Sequence, residues 1–196
     1  HIPYIIEKGA EYYKTLGTEN SHGTKIFTIS GDVEKPGYYE TEMGVTLREI
    51  IELAEGMKDG KEFYAALLGG AAGTFVNKEV LDTPMGFDSL KEKKAILGSG
   101  AIIVMHKERS LYDMMDSILE FFKHESCGKC VPCRVGTHQL LIMFEELRKS
   151  KNGEGKKLLA QMKKEAEYMA ANSLCPLGAS PILPLGSVYE YFNEEF

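Results

Sequence analysis

Hydrophobic and polar residues follow two different periods along this chain of 196 residues. Short apolar or β-branched runs bounded by Gly, Pro and Asp dominate up to Met105, and such runs predict β-strands. After residue 110, apolar residues recur every three or four positions, which predicts amphipathic helices. The chain is therefore predicted to be α+β, with an all-helical second part. The predicted strands are 25–30, 37–41, 65–68 and 101–105.

The first part has the element order of a ubiquitin-like β-grasp. Turn signals at Gly31-Asp32 and Pro36-Gly37 join the first two strands into a hairpin. Thr46 directly precedes an apolar helical run and Glu49 follows three residues later, which is the spacing of a capping box. A helix over 47–54 is expected after this cap, followed by the two later strands.

Four amphipathic helices are predicted after Ser110, which is a suitable N-cap for the first of them. Gly153 and Gly155 separate the second helix from the third. In an up-and-down bundle, the connection between helices one and two lies at the same end as the connection between helices three and four. The apolar stripes are Leu111, Met114, Met115, Ile118 and Phe122; Leu140, Phe144 and Leu147; Leu158, Leu159, Met162, Ala166 and Met169; and Leu185, Val188, Tyr189, Phe192 and Phe196.

These patterns divide the chain into three segments. Residues 3–16 are expected to form a short helix with Pro3 in its first turn, and residues 17–23 a polar linker. The predicted boundaries are 1–22 for this helix and linker, 23–106 for the β-grasp domain and 107–196 for the four-helix bundle. Because the chain does not start with Met, we expect it to be a piece of a longer protein.

All four cysteines fit a single metal–sulfur site. Cys127, Cys130 and Cys133 form a C-x2-C-x2-C pattern between the first two helices of the bundle, and Cys175 lies between the last two. Four thiolates are the ligand set of a 4Fe–4S cluster. The bundle topology would return the fourth thiolate to the first three, and Gly128 would let the loop fold close to the sulfur atoms. The sequence therefore predicts one 4Fe–4S cluster with these four ligands.

Neighbouring residues suit the cluster, and other uses of the thiols stay open. Pro132 would stiffen the loop, while Lys129 and Arg134 would partly offset the negative charge of the cluster. Zinc also takes thiolates, so a zinc-stabilised protein-interaction module is the alternative. His124 could replace one thiolate as a ligand. Disulfides fit less well, because nothing else in the chain has the character of a secreted protein.

Composition and charge exclude several classes of protein. The chain is 43% hydrophobic and 27% charged, which is ordinary for a folded globular protein. Its net charge of −6 offers no basic surface for nucleic acid. No run approaches the ~20 apolar residues that a membrane-spanning helix needs, and the first residues have no signal-peptide pattern. We therefore expect a cytoplasmic protein without direct membrane insertion, either free or peripheral to a membrane within a complex.

The cysteine segment resembles the cluster-binding signature of a known family. That family is the flavin-bearing, NADH-oxidising subunit of respiratory complex I, with counterparts in bidirectional and electron-bifurcating hydrogenases and in NAD-linked formate dehydrogenases. Further matching stretches follow in the same order along the whole chain. The stretches are SGDVEKPGYYE (30–40), PMGFDSL (84–90), LGSGA (97–101), ESCGKCVPCRVGT (125–137) and SLCPLG (173–178).

The resemblance implies a division of labour within a longer parent protein. In that family, an N-terminal domain binds FMN and NADH, a β-grasp domain called SLBB follows, and a helical bundle carries one 4Fe–4S cluster. This chain is similar to the last two parts only, so the resemblance implies no FMN or NADH site and no catalytic residue here. It implies a parent NADH dehydrogenase whose electrons pass from flavin through the cluster to partners. The implied partners are a thioredoxin-like 2Fe–2S subunit and a larger iron–sulfur subunit.

Overall fold

The computed structural model describes residues 1–150 and 154–196. These residues divide into two compact units, one made of residues 1–70 and 76–107 and the other of residues 71–75 and 108–196. The predicted helix break at Gly153 lies outside the described residues. Among the residues described, the helices are all too short or too polar to cross a membrane.

The first part of the chain forms a five-stranded sheet with short helices around it. Its elements in order are α1 (Ile2–Lys8), α2 (Ala10–Lys14), β1 (Gly17–Thr18), β2 (Ser21–His22), β3 (Thr24–Gly31), β4 (Gly37–Glu42), α3 (Leu47–Leu53), β5 (Phe63–Leu68), β6 (Thr74–Val76), α4 (Phe87–Glu92) and β7 (Ala101–His106). The strand order in the sheet is β4-β3-β7-β5-β6. Strand β3 runs antiparallel to β4 and parallel to β7, while β5 runs antiparallel to β7.

Alternation along β3 explains which face of the sheet is buried. Phe27 and Ile29 are almost completely buried, whereas the adjacent Ile26 is 56% exposed, as expected when successive side chains point to opposite faces. The predicted hairpin is confirmed by the antiparallel register that pairs Phe27 with Tyr39. Burial of one face against α3 therefore sets the register of the pair, because a slip by one residue would expose the apolar side chains.

The predicted capping box starts helix α3. The Glu49 amide donates to Thr46 Oγ1 at 3.2 Å, and the Thr46 amide donates to Glu49 Oε2 at 2.7 Å. Two amides that would otherwise lack partners at the helix start are thereby satisfied. Leu47, Ile50 and Ile51 then form the buried face of the helix.

Four local features differ from the expectations, and one of them is strand β6, which was not predicted. The helix expected over 3–16 is two helices, because Gly9 between them has a φ of +88° that breaks the helical path. The expected polar linker contains the strand pair β1–β2. Helix α4 was not expected, because Leu90 is its one buried residue and it therefore has no apolar stripe.

The second part of the chain is helical, as predicted. The four long helices coincide with the four predicted apolar stripes, and one short helix was not predicted. These elements are α5 (Leu111–Glu125), α6 (Val131–Lys149), α7 (Glu154–Asn172), α8 (Pro176–Ala179) and α9 (Ile182–Phe192). Helix α6 packs against α5 and α7, and α7 also packs against α9. Gly155 is the second residue of α7 rather than part of a break.

The core of the helical unit is formed by most members of the predicted stripes, whereas Tyr189 is 37% exposed. Large side chains from each long helix are buried to 4% exposure or less, which gives one continuous apolar interior. Its members include Leu111, Met115, Ile118, Phe122, Leu140, Phe144, Leu147, Leu159, Met162, Met169, Leu185 and Val188. All four cysteines lie at or beside helix ends.

Candidate metal centre

The four cysteines occupy the starts of two helices and the loop before one of them. Cys127 lies in the loop between α5 and α6 and is exposed. Cys130 is the N-cap of α6, and Cys133 lies buried in the first turn of that helix. Cys175 is the N-cap of α8 and is exposed. The sequence placed the first three cysteines in one tight loop, whereas the structure puts Cys133 on a helix.

The loop before α6 is shaped by one glycine and one arginine. Gly128 has a φ of +73°, which L-residues with side chains adopt at a cost. Arg134 Nη1 donates to the Gly128 carbonyl oxygen at 2.8 Å, so the guanidinium ties the loop to the first turn of the helix. Pro132 lies within that first turn rather than in the loop, a position that its fixed φ suits.

The segment that contains Cys175 lies beside the start of α6, although it is distant in sequence. Helix α8 packs against α5, α6 and α7. A Cβ atom built on Gly178 in α8 would lie 2.9 Å from Cys133 Cβ and 2.4 Å from Ser173 Oγ. No side chain would fit there without displacing its neighbours. The absence of a side chain at Gly178 is therefore what lets α8 approach Cys133.

The surroundings of Cys130 favour its thiolate form. The pKa of the Cys130 thiol is lowered, first by the backbone amide of Leu174 and then by that of Cys133, with the smallest contribution from the Ser173 hydroxyl. Its position at the N-terminus of α6 acts in the same direction, because the helix dipole favours negative charge there. Since metals bind the thiolate and not the thiol, these donors prepare Cys130 as a ligand.

Two serine hydroxyls also face the cysteines. Ser126 Oγ lies 3.2 Å from Cys133 Sγ. The Ser173 hydroxyl is buried and has no hydrogen-bond partner of normal geometry among residues 1–150 and 154–196. A buried hydroxyl without a partner, the close approach that Gly178 allows and a set of four soft thiol ligands fit a bound iron–sulfur group.

The same residues suit a cluster better than a single metal ion. In the part of the chain that the structure describes, no three His, Cys, Asp or Glu side chains are grouped as ligands of one ion would be. A 4Fe–4S cluster presents a separate iron to each thiolate, so its ligands do not converge on one point. His124 is exposed, and its Nδ1 lies 3.2 Å from Glu125 Oε1.

Sequence reasoning did not find the groups that support the thiols. These groups are the Ser126 and Ser173 hydroxyls, the Leu174 amide and Gly178, whose lack of a side chain allows the close approach. Each lies within three positions of a cysteine along the sequence. Proximity to the cysteines was the available signal, but serine and glycine are too common in loops for it to identify them.

Comparison with known proteins identifies both parts of the chain. Residues 113–196 match the NADH-ubiquinone oxidoreductase-F iron-sulfur binding region, and residues 26–70 match the SLBB domain. The first match contains all four cysteines, and the second contains strands β4 and β5 and helix α3. The fold and site therefore define an SLBB domain followed by an iron–sulfur binding region.

The relatives are components of oxidoreductase complexes. The chain is 34% identical to the NADP-reducing hydrogenase subunit HndC of Solidesulfovibrio fructosivorans over all of its own length and 40% of that protein. It is also 34% identical to an F-type subunit of the NADH-quinone oxidoreductase of Rhizobium meliloti, covering 100% of this chain and 46% of that one. A crystal structure of an NAD+-reducing NiFe hydrogenase in the H2-reduced state superposes with a TM-score of 0.84 at 30% identity, over 99% of this chain and 32% of the other.

The family resemblance seen in the sequence is thereby confirmed. The chain contains an SLBB domain and the iron-sulfur binding region of NADH-ubiquinone oxidoreductase F, and it is similar to the C-terminal part of F-type subunits and of hydrogenase subunit HndC. It spans less than half the length of the relatives named above.

Proposed function

We propose that this chain is the electron-transfer part of an NADH-oxidising subunit and binds one 4Fe–4S cluster through Cys127, Cys130, Cys133 and Cys175. The observation that carries the proposal is the return of the segment containing Cys175 to the start of α6, where Gly178 lies against Cys133. When bound, such a cluster supplies one-electron transfer between a reduced flavin and a partner iron–sulfur subunit.

The residues of the chain hold and shield this group. The amide of Leu174 and the N-terminus of α6 favour the thiolate of Cys130. Cys133 is 5% exposed, so one side of the site is closed to water by the helical core. Arg134 fixes the loop that carries Cys127, because it donates to the Gly128 carbonyl. No proton donor or acceptor is needed, since electron transfer at a cluster requires no proton transfer.

The remaining functions are assigned to the parent protein. We propose that FMN and NADH bind to the part of the longer protein that this chain lacks, and that the partners are a thioredoxin-like 2Fe–2S subunit and a larger iron–sulfur subunit. The relatives named for NADH-quinone and NADP-reducing hydrogenase activity support this assignment. The strand order β4-β3-β7-β5-β6, with a central parallel pair, supports a ubiquitin-like β-grasp for the SLBB domain. We propose that this domain is a spacer or docking surface.

Metal analysis tests the proposal directly. We expect the chain, purified or reconstituted without air, to contain about four iron atoms and four acid-labile sulfides, as one 4Fe–4S cluster requires. Cys130→Ser should lose or convert the cluster, because it removes one of the four proposed thiolate ligands. Val131→Ala is the matched control, since this neighbouring side chain is 58% exposed and the variant keeps all four thiols.

Two results would contradict the cluster assignment. Trace iron after anaerobic reconstitution would remove its basis. One zinc ion per chain without acid-labile sulfide would favour the zinc-stabilised interaction module instead.

A further inference from the structure

The Ser173 hydroxyl is an unexplained buried polar group. Its oxygen is shielded from solvent and has no hydrogen-bond partner of normal geometry within the described residues. A buried hydroxyl without a hydrogen-bond partner is energetically unfavourable. The Ser173 backbone is meanwhile held in place, because its amide donates to the Met169 carbonyl oxygen at 2.9 Å. A hydroxyl fixed in this way indicates an acceptor that belongs to the complete site.

The surroundings of this hydroxyl include one of the proposed ligands. The Cβ position of Gly178 is 2.4 Å from Ser173 Oγ and 2.9 Å from Cys133 Cβ. Ser173 and Cys133 therefore pack closely against the same glycine. The hydroxyl is thus placed beside the proposed ligand Cys133.

A second hydroxyl contacts the buried ligand from the loop. Ser126 Oγ lies 3.2 Å from Cys133 Sγ and accepts from the Gly128 amide at 3.4 Å. Either atom of the Ser126–Cys133 pair could supply the proton when Cys133 is a thiol. A metal-bound thiolate has no proton, so Ser126 must then be the donor. The Gly128 amide already occupies one lone pair of the hydroxyl oxygen, which leaves its proton free to point at the sulfur.

We propose that Ser126 and Ser173 are positioning residues that donate hydrogen bonds to sulfur atoms of the bound cluster and raise its reduction potential. This inference rests on the proposed function. A hydrogen bond to sulfur stabilises the more negative, reduced state more than the oxidised state, so it favours uptake of the electron. Ser126 acts on the Cys133 sulfur, and Ser173 acts from the segment that packs beside Cys133.

The test begins with metal content and then measures the potential. Iron and sulfide are first quantified in the anaerobically purified protein and in Ser126→Ala, Ser173→Ala and the matched control Ser180→Ala. Ser180 lies in the same segment, but its hydroxyl donates to the Pro176 carbonyl oxygen. The potential of each loaded protein is then found by a redox titration followed by electron paramagnetic resonance. Absence of iron from the unmutated chain would refute the proposed function as a whole and not only the role of the two hydroxyls.

We expect both alanine variants to retain iron and to shift the reduction equilibrium about tenfold towards the oxidised state, which is about 59 mV for a one-electron couple. Ser180→Ala should not shift the reduction potential. Ser126→Thr should keep the potential of the unmutated chain, because threonine also has a hydroxyl. Full iron content with unchanged potentials in both alanine variants would overturn the proposal. So would iron loss in Ser173→Ala with native helix content, since the hydroxyl would then hold the cluster rather than set its potential.

If Ser126→Ala loses iron, the threonine variant decides. Iron and a parent-like potential in Ser126→Thr would support the hydrogen bond as the cause. Iron loss in Ser126→Thr as well would assign Ser126 a packing role and overturn its part of the proposal.

Discussion

Replacing Gly136 with alanine should destabilise the helical unit, although the same substitution usually stabilises a helix. Gly136 is buried in α6 where α7 comes close. An alanine Cβ would lie 2.5 Å from Met169 Sδ and 2.6 Å from Met169 Cγ, which is too close for any real contact. Met169 is completely buried, so its side chain has no solvent-filled space into which it can move.

The size of the effect follows from two opposing contributions. Alanine in place of glycine inside a helix gains about 1 kcal/mol of helix propensity. Forcing extra atoms into a packed core costs about 1–3 kcal/mol. The net effect of Gly136→Ala on the free energy of unfolding is therefore a loss of about 0–2 kcal/mol. Gly186 in α9 is the matched control, because its nearest neighbour is Ile182 Cδ1 at an ordinary 3.9 Å. Gly186→Ala should gain about 1 kcal/mol.

Urea unfolding followed by helix content at 222 nm measures this difference. At a denaturant slope of about 2 kcal/mol/M, a gap of about 1–3 kcal/mol separates the two midpoints by about 0.5–1.5 M. A double-mutant cycle isolates the cause. Met169→Ala alone should cost about 2–5 kcal/mol, but adding Gly136→Ala to it should then be favourable, because the obstructing side chain is gone. The coupling energy should be about 1–3 kcal/mol.

Equal midpoint shifts in Gly136→Ala and Gly186→Ala would refute this reasoning. A coupling energy near zero would do the same, since it would mean that Met169 is not what the new methyl group meets.

Three further predictions concern polar groups. Thr46→Ala should cost about 1 kcal/mol in urea unfolding through loss of the cap. Hydrogen bonds from the Thr46 amide and hydroxyl lower the pKa of Glu49. The contribution of Glu49 to stability is therefore complete above about pH 4.3 and is lost as pH falls through the lowered value. Glu49→Gln should destabilise the protein at pH 7 and match the unmutated protein in acid, and a pH-independent difference would contradict this. Ser187→Ala should cost about 1–3 kcal/mol, because the buried Ser187 Oγ accepts from the Phe75 amide at 2.8 Å and leaves it unpaired when removed. Ser180→Ala, which keeps that bond, should change the midpoint little.

The elements that the sequence predicted are those whose signals are local. The capping box at Thr46 and the β3–β4 hairpin each depend on residues close together in the chain. The four long helices are each long enough to show a complete apolar stripe. The missed elements lack such signals. Strand β6 has three residues, all buried, so it shows no alternation. Helix α8 has four residues, which is too few for a period of 3.6.

The site divides in the same way. The number and spacing of the cysteines can be read directly from the sequence, so all four could be proposed as ligands without a structure. The partner of the Ser126 hydroxyl and the burial of the Ser173 hydroxyl depend on how α6 and α8 pack, which no local pattern encodes. The position of Cys133 on a helix rather than in the loop follows from Pro132, which suits a first helical turn as well as a tight loop.

The packing of α7 on α6 also determines the geometry of the thiol site. Gly136 lies one helical turn after Cys133, and Met169 lies one turn before Ser173, whose amide bonds to the Met169 carbonyl oxygen. The contact between Gly136 and Met169 therefore sets how closely the end of α7 approaches the start of α6. Gly178 makes a second close approach directly beside Cys133. Because both approaches require a missing side chain, a methyl group at either glycine should displace the segment that contains the fourth cysteine and weaken the site as well as the fold.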